Sequence, residues 1–109
     1  MLLTIVVLSY NRPEQLKRIL KNFEEVVNDD LSIIVKDDQS PRLSEIAATV
    51  ETYSKKLKVS VKLHVNKYNV GYDLNLIDSF SIAESEYVFL LSDDDYVDGA
   101  KIEQLTVFL

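Results

Sequence analysis

The sequence contains no cysteine, and that single absence removes several chemistries at once. Without thiols there is no disulfide framework, no thiolate metal site and no cysteine nucleophile. Glycine is almost as scarce, with two in 109 residues. Neither belongs to a G-x-G-x-x-G or G-x-x-x-x-G-K-[ST] phosphate loop. Histidine occurs once, at His64, on the polar side of an alternating segment, whereas a Ser-His-Asp triad would need it in a strand-end loop. No run approaches the roughly 20 apolar residues of a spanning helix. The stretch Leu2 to Leu8 is too short for a secretory core and lacks a basic flank. Positive charge is in deficit, with 12 Lys+Arg against 18 Asp+Glu and a formal net charge of −6. That balance argues against binding a nucleic-acid backbone. It also means that an anionic ligand would need a cation between itself and the protein.

What is present is 47% hydrophobic and 28% charged, the composition of one globular domain. Strand-like and helix-like segments alternate along it. Leu3 to Leu8 is a continuous apolar, β-branched run, read as a strand buried on both faces. Pro13 opens a helix whose apolar positions are Leu16, Ile19, Leu20, Phe23, Val26 and Val27. Ser32 to Val35 is a second strand, followed by a helix from Leu43 to Tyr53. Leu57, Val59, Val61, Leu63 and Val65 alternate with polar residues, which predicts a sheet-edge strand with one wet face. A third helix, Asp73 to Ala83, is expected to bury Leu74, Ile77 and Phe80. Glu86 to Leu91 is a fourth strand, and a last helix near Asp98 is expected to bury Ile102, Leu105 and Phe108. The order βαβαβαβα predicts an α/β fold, a three-layer α/β/α arrangement around a mainly parallel sheet. In such sheets ligands gather outside the carboxyl ends of the strands.

The polar clusters fall at those ends. Asp93-Asp94-Asp95 follows the fourth strand directly, and a hard divalent cation would relieve the repulsion among its carboxylates. The competing reading is a solvated loop in which Asp95 or Asp98 caps the next helix. Asp37-Asp38 follows the second strand and offers an acceptor to a base or ribose, or else forms a local turn into Ser40-Pro41. After the first strand come Ser9, Tyr10, whose ring could stack on a base, and Asn11, read as the cap of the helix at Pro13. In Asn69-Val70-Gly71 the glycine marks a positive φ or a close backbone approach. Asn75 lies inside a helix despite poor propensity, which points to a hydrogen-bonding duty.

Taken in order, these loops resemble the family 2 glycosyltransferases of the GT-A fold. Thr4 to Pro13 is similar to that family's opening strand and its P-T-Y-N-R turn, with Leu8-Ser9 for Pro-Thr. Ile34 to Ser40 resembles V-V-D-D-G-S, with Gln39 where glycine is usual. Asn69-Val70-Gly71 with Asn75 resembles the N-x-G…N element, and Glu86 to Asp95 the strand ending in the D-x-D type metal motif. In the common D-A-D-D form the first Asp would fall at Ser92, so coordination would rest mainly on Asp94. The resemblance implies the Rossmann-like, nucleotide-binding half of a GT-A domain, and a bacterial enzyme of surface-polysaccharide synthesis. It implies a UDP-, GDP- or dTDP-sugar donor, a saccharide or lipid-linked acceptor, and Mn²⁺ or Mg²⁺ held by Asp94 and Asp95. Ser9, Tyr10, Asn11, Asp37, Asp38, Asn69, Gly71, Asp93 and Asp94 would form the nucleotide site. It further implies inversion by direct displacement and work in the cytoplasm, at the inner face of the membrane.

In this family the general base follows the metal strand and the acceptor-binding segments. No position here matches it, Glu103 included, so the 109 residues are expected to hold only the donor half and to lack turnover alone. Two other classes fit poorly. A signalling receiver domain needs paired acidic residues after the first strand, and a haloacid-dehalogenase-like phosphatase needs D-x-D-x-T there; this chain has Ser9-Tyr10-Asn11. The serious alternative is a non-catalytic nucleotide- or partner-binding module, self-associating as a homodimer through an open edge and apolar surface.

Overall fold

A computed structural model describes residues 2–108, and side chains as far as Val107; the expected burial of Phe108 lies outside the described residues. The elements run β1 (Leu3–Ser9), α1 (Pro13–Lys21), β2 (Leu31–Asp37), α2 (Leu43–Lys56), β3 (Ser60–Val65), α3 (Tyr72–Ile82), β4 (Tyr87–Ser92) and α4 (Gly99–Phe108). All strand pairs are parallel, in the order β3-β2-β1-β4. β1 is buried along its whole length between β2 and β4, as its unbroken apolar run requires. The period-two strand β3 lies at the edge.

The two faces of the sheet are covered differently. Ile5 and Val7 of β1, Ile33 and Val35 of β2, Val61 of β3 and Leu91 of β4 share one face. Against them pack Leu16, Ile19 and Leu20 of α1, Ile46, Val50 and Tyr53 of α2, and Ile102 of α4. Gly99 lets α4 close on the end of α1, since a Cβ there would run into the Asn22 carbonyl. Asp98 caps α4 through the amides of Ala100 and Lys101 at 3.1 and 3.4 Å. The helix expected to run to Val27 stops at Lys21; Phe23 and Val26 still reach the core, whereas Val27 is exposed.

The opposite face carries Thr4, Val6 and Leu8 of β1 together with Ser32 and the fully buried Lys36 of β2, with α3 laid over it. Here the expectation from periodicity is reversed. Leu74, Ile77 and Phe80 are 57%, 62% and 57% exposed, while Asn75 and Ser79 are buried against the sheet. The reason is the ammonium of Lys36, which sits beneath α3 and must be met by oxygen acceptors. Asn75 supplies one at 2.7 Å, and so fixes which stripe of α3 faces inward.

Candidate functional site

The sheet ladder continues past the strand ends and fixes the loops there. The amide of Asp38 donates to Ser9 O at 3.0 Å, that of Asp93 to Leu8 O at 3.0 Å, and that of Asn66 to Asp37 O at 2.8 Å. Asp37 is fully buried and closes its own turn: it accepts from Ser9 Oγ at 3.1 Å, Ser40 N at 2.9 Å and Ser40 Oγ at 2.6 Å. Gln39 holds a φ of 60°, a conformation where glycine carries no steric cost, and its Nε2 donates to Asn66 O at 2.6 Å.

Asp38 reaches across to the loop before α3. Its Oδ1 accepts from Val70 N at 2.8 Å and from Asn66 Nδ2 at 3.0 Å; its Oδ2 accepts from Gly71 N at 2.9 Å. A carboxylate thus sits on the last free N–H groups ahead of a helix, where the helix field favours it. Gly71 takes a φ of 84°, which answers the choice left open by the sequence in favour of a left-handed position. Asn75 performs the polar duty its placement implied, accepting from both Lys36 Nζ and Asn66 Nδ2 at 2.7 Å.

On the other side, β4 delivers its three aspartates to three different environments. Asp93 is buried and accepts from Tyr10 N at 3.0 Å; burial pushes its carboxyl above the usual range. Asp94 is exposed, and hydrogen bonding from Ser92, then from Arg12, holds its carboxyl below the usual range. Asp95 turns back on its own loop, its Oδ2 accepting from Ser92 N at 2.7 Å. The Arg12 guanidinium lies 3.2 Å from Asp94 and 3.7 Å from Asp93.

Between these walls is a cleft of about 670 Å³ at the carboxyl ends of β1, β2 and β4. Ser9, Tyr10, Asp38, Asn69 and Gly71 line one part, and Asp93, Asp94 and Asp95 another. Two residues expected in the site stand behind it. Asp37 is spent on its turn. Asn11 does not cap α1, whose cap position is Arg12. Asn11 instead adopts a φ of 56°, and its Oδ1 accepts from Arg42 N at 3.2 Å, tying the first loop to the second. Arg12, Tyr72 and Asn75 line the cleft without having been singled out for it from sequence. Arg12 had one usable signal: it is a cation in a strand-end loop of a chain short of cations.

No three His, Asp or Glu side chains converge as a ready metal cage among the described residues. A smaller demand is met. Mg²⁺ and Mn²⁺ accept one or two carboxylates and take their other ligands from water and phosphate. Asp93 and Asp94 form such a pair on the cleft wall, and they already hold a cationic group, Arg12, between them.

A parallel α/β sheet in the order β3-β2-β1-β4, with a polar cleft outside the carboxyl ends of its strands, defines the doubly wound class of proteins. Within that class, the profile of "Glycosyl transferase family 2" matches residues 4–108, and the chain belongs to that family. It is 26% identical over 111 residues to abequosyltransferase RfbV of Salmonella typhimurium, a match spanning 100% of this chain and 33% of that protein. The fold matches S. aureus TarS 1-349 in complex with UDP with a TM-score of 0.83 and 22% identity, over 99% of this chain and 32% of TarS. It matches the mannosyltransferase PcManGT of Pyrobaculum calidifontis, in complex with GDP-Man and Mn²⁺, with a TM-score of 0.77 and 18% identity, over 95% of this chain and 31% of that one. The chain therefore spans about a third of the length of the relatives it matches. Among the described residues no helix is long and apolar enough to cross a membrane.

Proposed function

We propose that the cleft binds a nucleoside-diphosphate sugar, as the donor side of a glycosyltransferase acting on a saccharide or lipid-linked hydroxyl. The observation that carries this reading is one cleft joining an aromatic ring, an anchored carboxylate and an acidic pair, each from a different strand end. Tyr10, 45% exposed, offers a ring face for a base. Asp38 has three protein donors on it, and Oδ2 retains room for one more, a base N–H. Asp94 with Asp93 would hold a divalent cation; Asp95 could join through the oxygen not committed to Ser92. When bound, that cation supplies Lewis-acid stabilisation of the leaving diphosphate. Arg12 must move from the aspartate pair for this, and once released its guanidinium can serve the phosphates. UDP, UDP-GlcNAc and GDP-Man with Mn²⁺ in the structural neighbours support the reading.

No residue here corresponds to the base that an inverting transfer needs at the acceptor hydroxyl. The reading therefore covers donor binding alone, and no catalytic base is assigned among these 109 residues. Calorimetric titration with UDP, GDP and dTDP, with and without Mn²⁺, tests it. One nucleotide is expected to bind only with metal, and Asp94→Asn is expected to weaken it about tenfold or more. Absence of binding, or indifference to the substitution, would overturn the assignment. A second reading, a partner-binding module, is favoured by one observation: the exposed Leu74, Ile77 and Phe80 face of α3. A dimer on size exclusion that ignores UDP and Mn²⁺ would favour it.

A further inference from the structure

We propose that Lys36 is a positioning residue for the donor site: through the Asn66 side-chain amide, its buried ammonium holds the Asp38 carboxylate on the Val70 and Gly71 N–H groups. The consequence for nucleotide binding rests on the reading above; the structural relay does not.

Lys36 is 0% exposed, and a buried ammonium is costly unless every N–H finds an acceptor. Each of its three does. Nζ donates to Asn66 Oδ1 at 2.8 Å, to Asn75 Oδ1 at 2.7 Å, and to Asp78 Oδ2 at 3.1 Å. Its pull holds the Asp78 carboxyl below the usual range. The position is a strand residue beneath a helix, where an aliphatic side chain would pack without any of these demands. The charge therefore calls for a reason beyond filling space.

The reason lies in what a donor-only group does to an amide. An ammonium can only donate, so the Asn66 side chain must turn Oδ1 toward it. Nδ2 is then aimed at Asn75 Oδ1, 2.7 Å away, and at Asp38 Oδ1, 3.0 Å away. The flipped amide would set its NH₂ against the ammonium and its oxygen against a carboxylate. Lys36 thus settles the orientation, and the orientation settles Asp38. With one oxygen held by Asn66, the carboxylate lies across the loop and takes Val70 N at 2.8 Å and Gly71 N at 2.9 Å. Asn69 Nδ2 adds a bond to Asp38 O at 3.0 Å. Asp38, Asn69 and Gly71 all line the cleft, so the relay runs from beneath the sheet edge to the cleft wall.

The test reads the loop and the nucleotide separately. Amide exchange and proton shifts of Val70 and Gly71 are followed by NMR in the native chain, Lys36→Met, Asn66→Ala and Asp78→Asn. Titration with UDP and GDP in the presence of Mn²⁺ is run on the same four. Lys36→Met and Asn66→Ala are expected to speed exchange at Val70 and Gly71 about tenfold or more. Both should erase the downfield shifts that a charged acceptor produces, while Ile5 and Ile33 keep their protection. Nucleotide affinity should fall about tenfold in both variants, and Asp78→Asn, which removes the anionic partner of the buried ammonium but leaves an amide oxygen in its place, should shift both quantities in the same direction by less. Unchanged protection of Val70 and Gly71, or an equal loss throughout β1 and β2, would overturn the relay. Should Lys36→Met not fold, Asn66→Ala decides: selective loss supports the relay and unchanged protection ends it. If the native chain binds neither nucleotide, the functional reading fails while the exchange data still judge Lys36.

Discussion

The two faces of this sheet solve the same burial problem with different materials, one wholly apolar and one part polar. Under α1 and α2 the contact is dry: Ile5, Val7, Ile33 and Val35 meet Leu16, Ile19, Phe23 and Ile46, all buried. Under α3 a polar network sits beside the buried Val6 and Leu8, with Lys36, Asn66, Asn75 and Asp78 joined by hydrogen bonds of 2.7 to 3.1 Å. The first face tolerates any apolar shape that fills it. The second tolerates one arrangement of donors and acceptors, because a buried polar group left unmet costs more than a met one gains. The difference places rigidity beside the cleft. The dry face supplies stability, and the polar face supplies orientation to the loop that lines the proposed donor site.

The largest effect should come from the dry face. Phe23→Ala empties a fully buried site and should cost about 3–5 kcal/mol, measured by urea unfolding. A smaller loss would mean that this face collapses readily and is not the main source of stability. Next comes the substitution that treats the polar face as if it were dry. Asn75→Leu puts an apolar side chain against the Lys36 ammonium and removes an acceptor from Asn66. It should destabilise by about 2–3 kcal/mol although it adds apolar surface. A neutral or stabilising result would erase the contrast between the faces.

A third effect is smaller and of opposite sign. Asp93 is buried beside Arg12 and Asp94, and desolvation raises its carboxyl. A carboxyl raised in the folded state binds its proton more tightly folded than unfolded. Stability is therefore gained as pH falls through the window between the ordinary and the raised value, and lost as pH rises through it. Asp93→Asn keeps an acceptor for Tyr10 N and removes that burden, so the melting temperature at neutral pH should rise by a few degrees. Metal-dependent nucleotide binding, by contrast, needs the ionised carboxylate. It should weaken on acidification from a higher pH than an ordinary carboxylate would set, and should be lost in Asp93→Asn. A variant neither stabilised nor weakened would show that Asp93 carries no such conflict.

The dry face was legible in the sequence, whereas of the polar face only the hydrogen-bonding duty of Asn75 was, for a physical reason. Apolar periodicity reports burial when burial is apolar. Leu16, Ile19 and Leu20, or Ile46, Val50 and Tyr53, fall on one stripe and have no competing stripe. In α3 two stripes compete. Leu74, Ile77 and Phe80 are bulky, yet they face out; Asn75 and Ser79 are polar, yet they face in. The deciding residue, Lys36, lies on another element, and no window along α3 contains it. The strand-end loops fared better because strand order alone gathers them at one edge. Which residue turns into the cleft depended on backbone detail. Asn11 at φ 56° sends its side chain to Arg42 N, so the cap expected from its residue type is never formed, and Arg12 swings to the aspartates instead.

The last prediction concerns the outward stripe of α3 and should give the smallest change in stability. Leu74, Ile77 and Phe80 are each more than half exposed, so the folded monomer gains little from them beyond what the unfolded chain already has. Ile77→Gln with Phe80→Gln should shift unfolding by no more than about 0.5 kcal/mol. If the helix is oriented by Lys36 rather than by its own apolar stripe, Asn75 and Ser79 remain inward in that variant and the Val70 and Gly71 amides keep their protection. Urea unfolding and sedimentation velocity of the double variant check this together. A loss near the Phe23→Ala value would mean that the stripe is covered in solution and that the contrast belongs to an assembly. Unchanged stability with reduced self-association would mean that the stripe contributes to contact between molecules and not to the fold. Loss of protection at the Val70 and Gly71 amides in the double variant would mean that the outward stripe, and not Asn75 buried on Lys36, sets the orientation of α3 on the sheet.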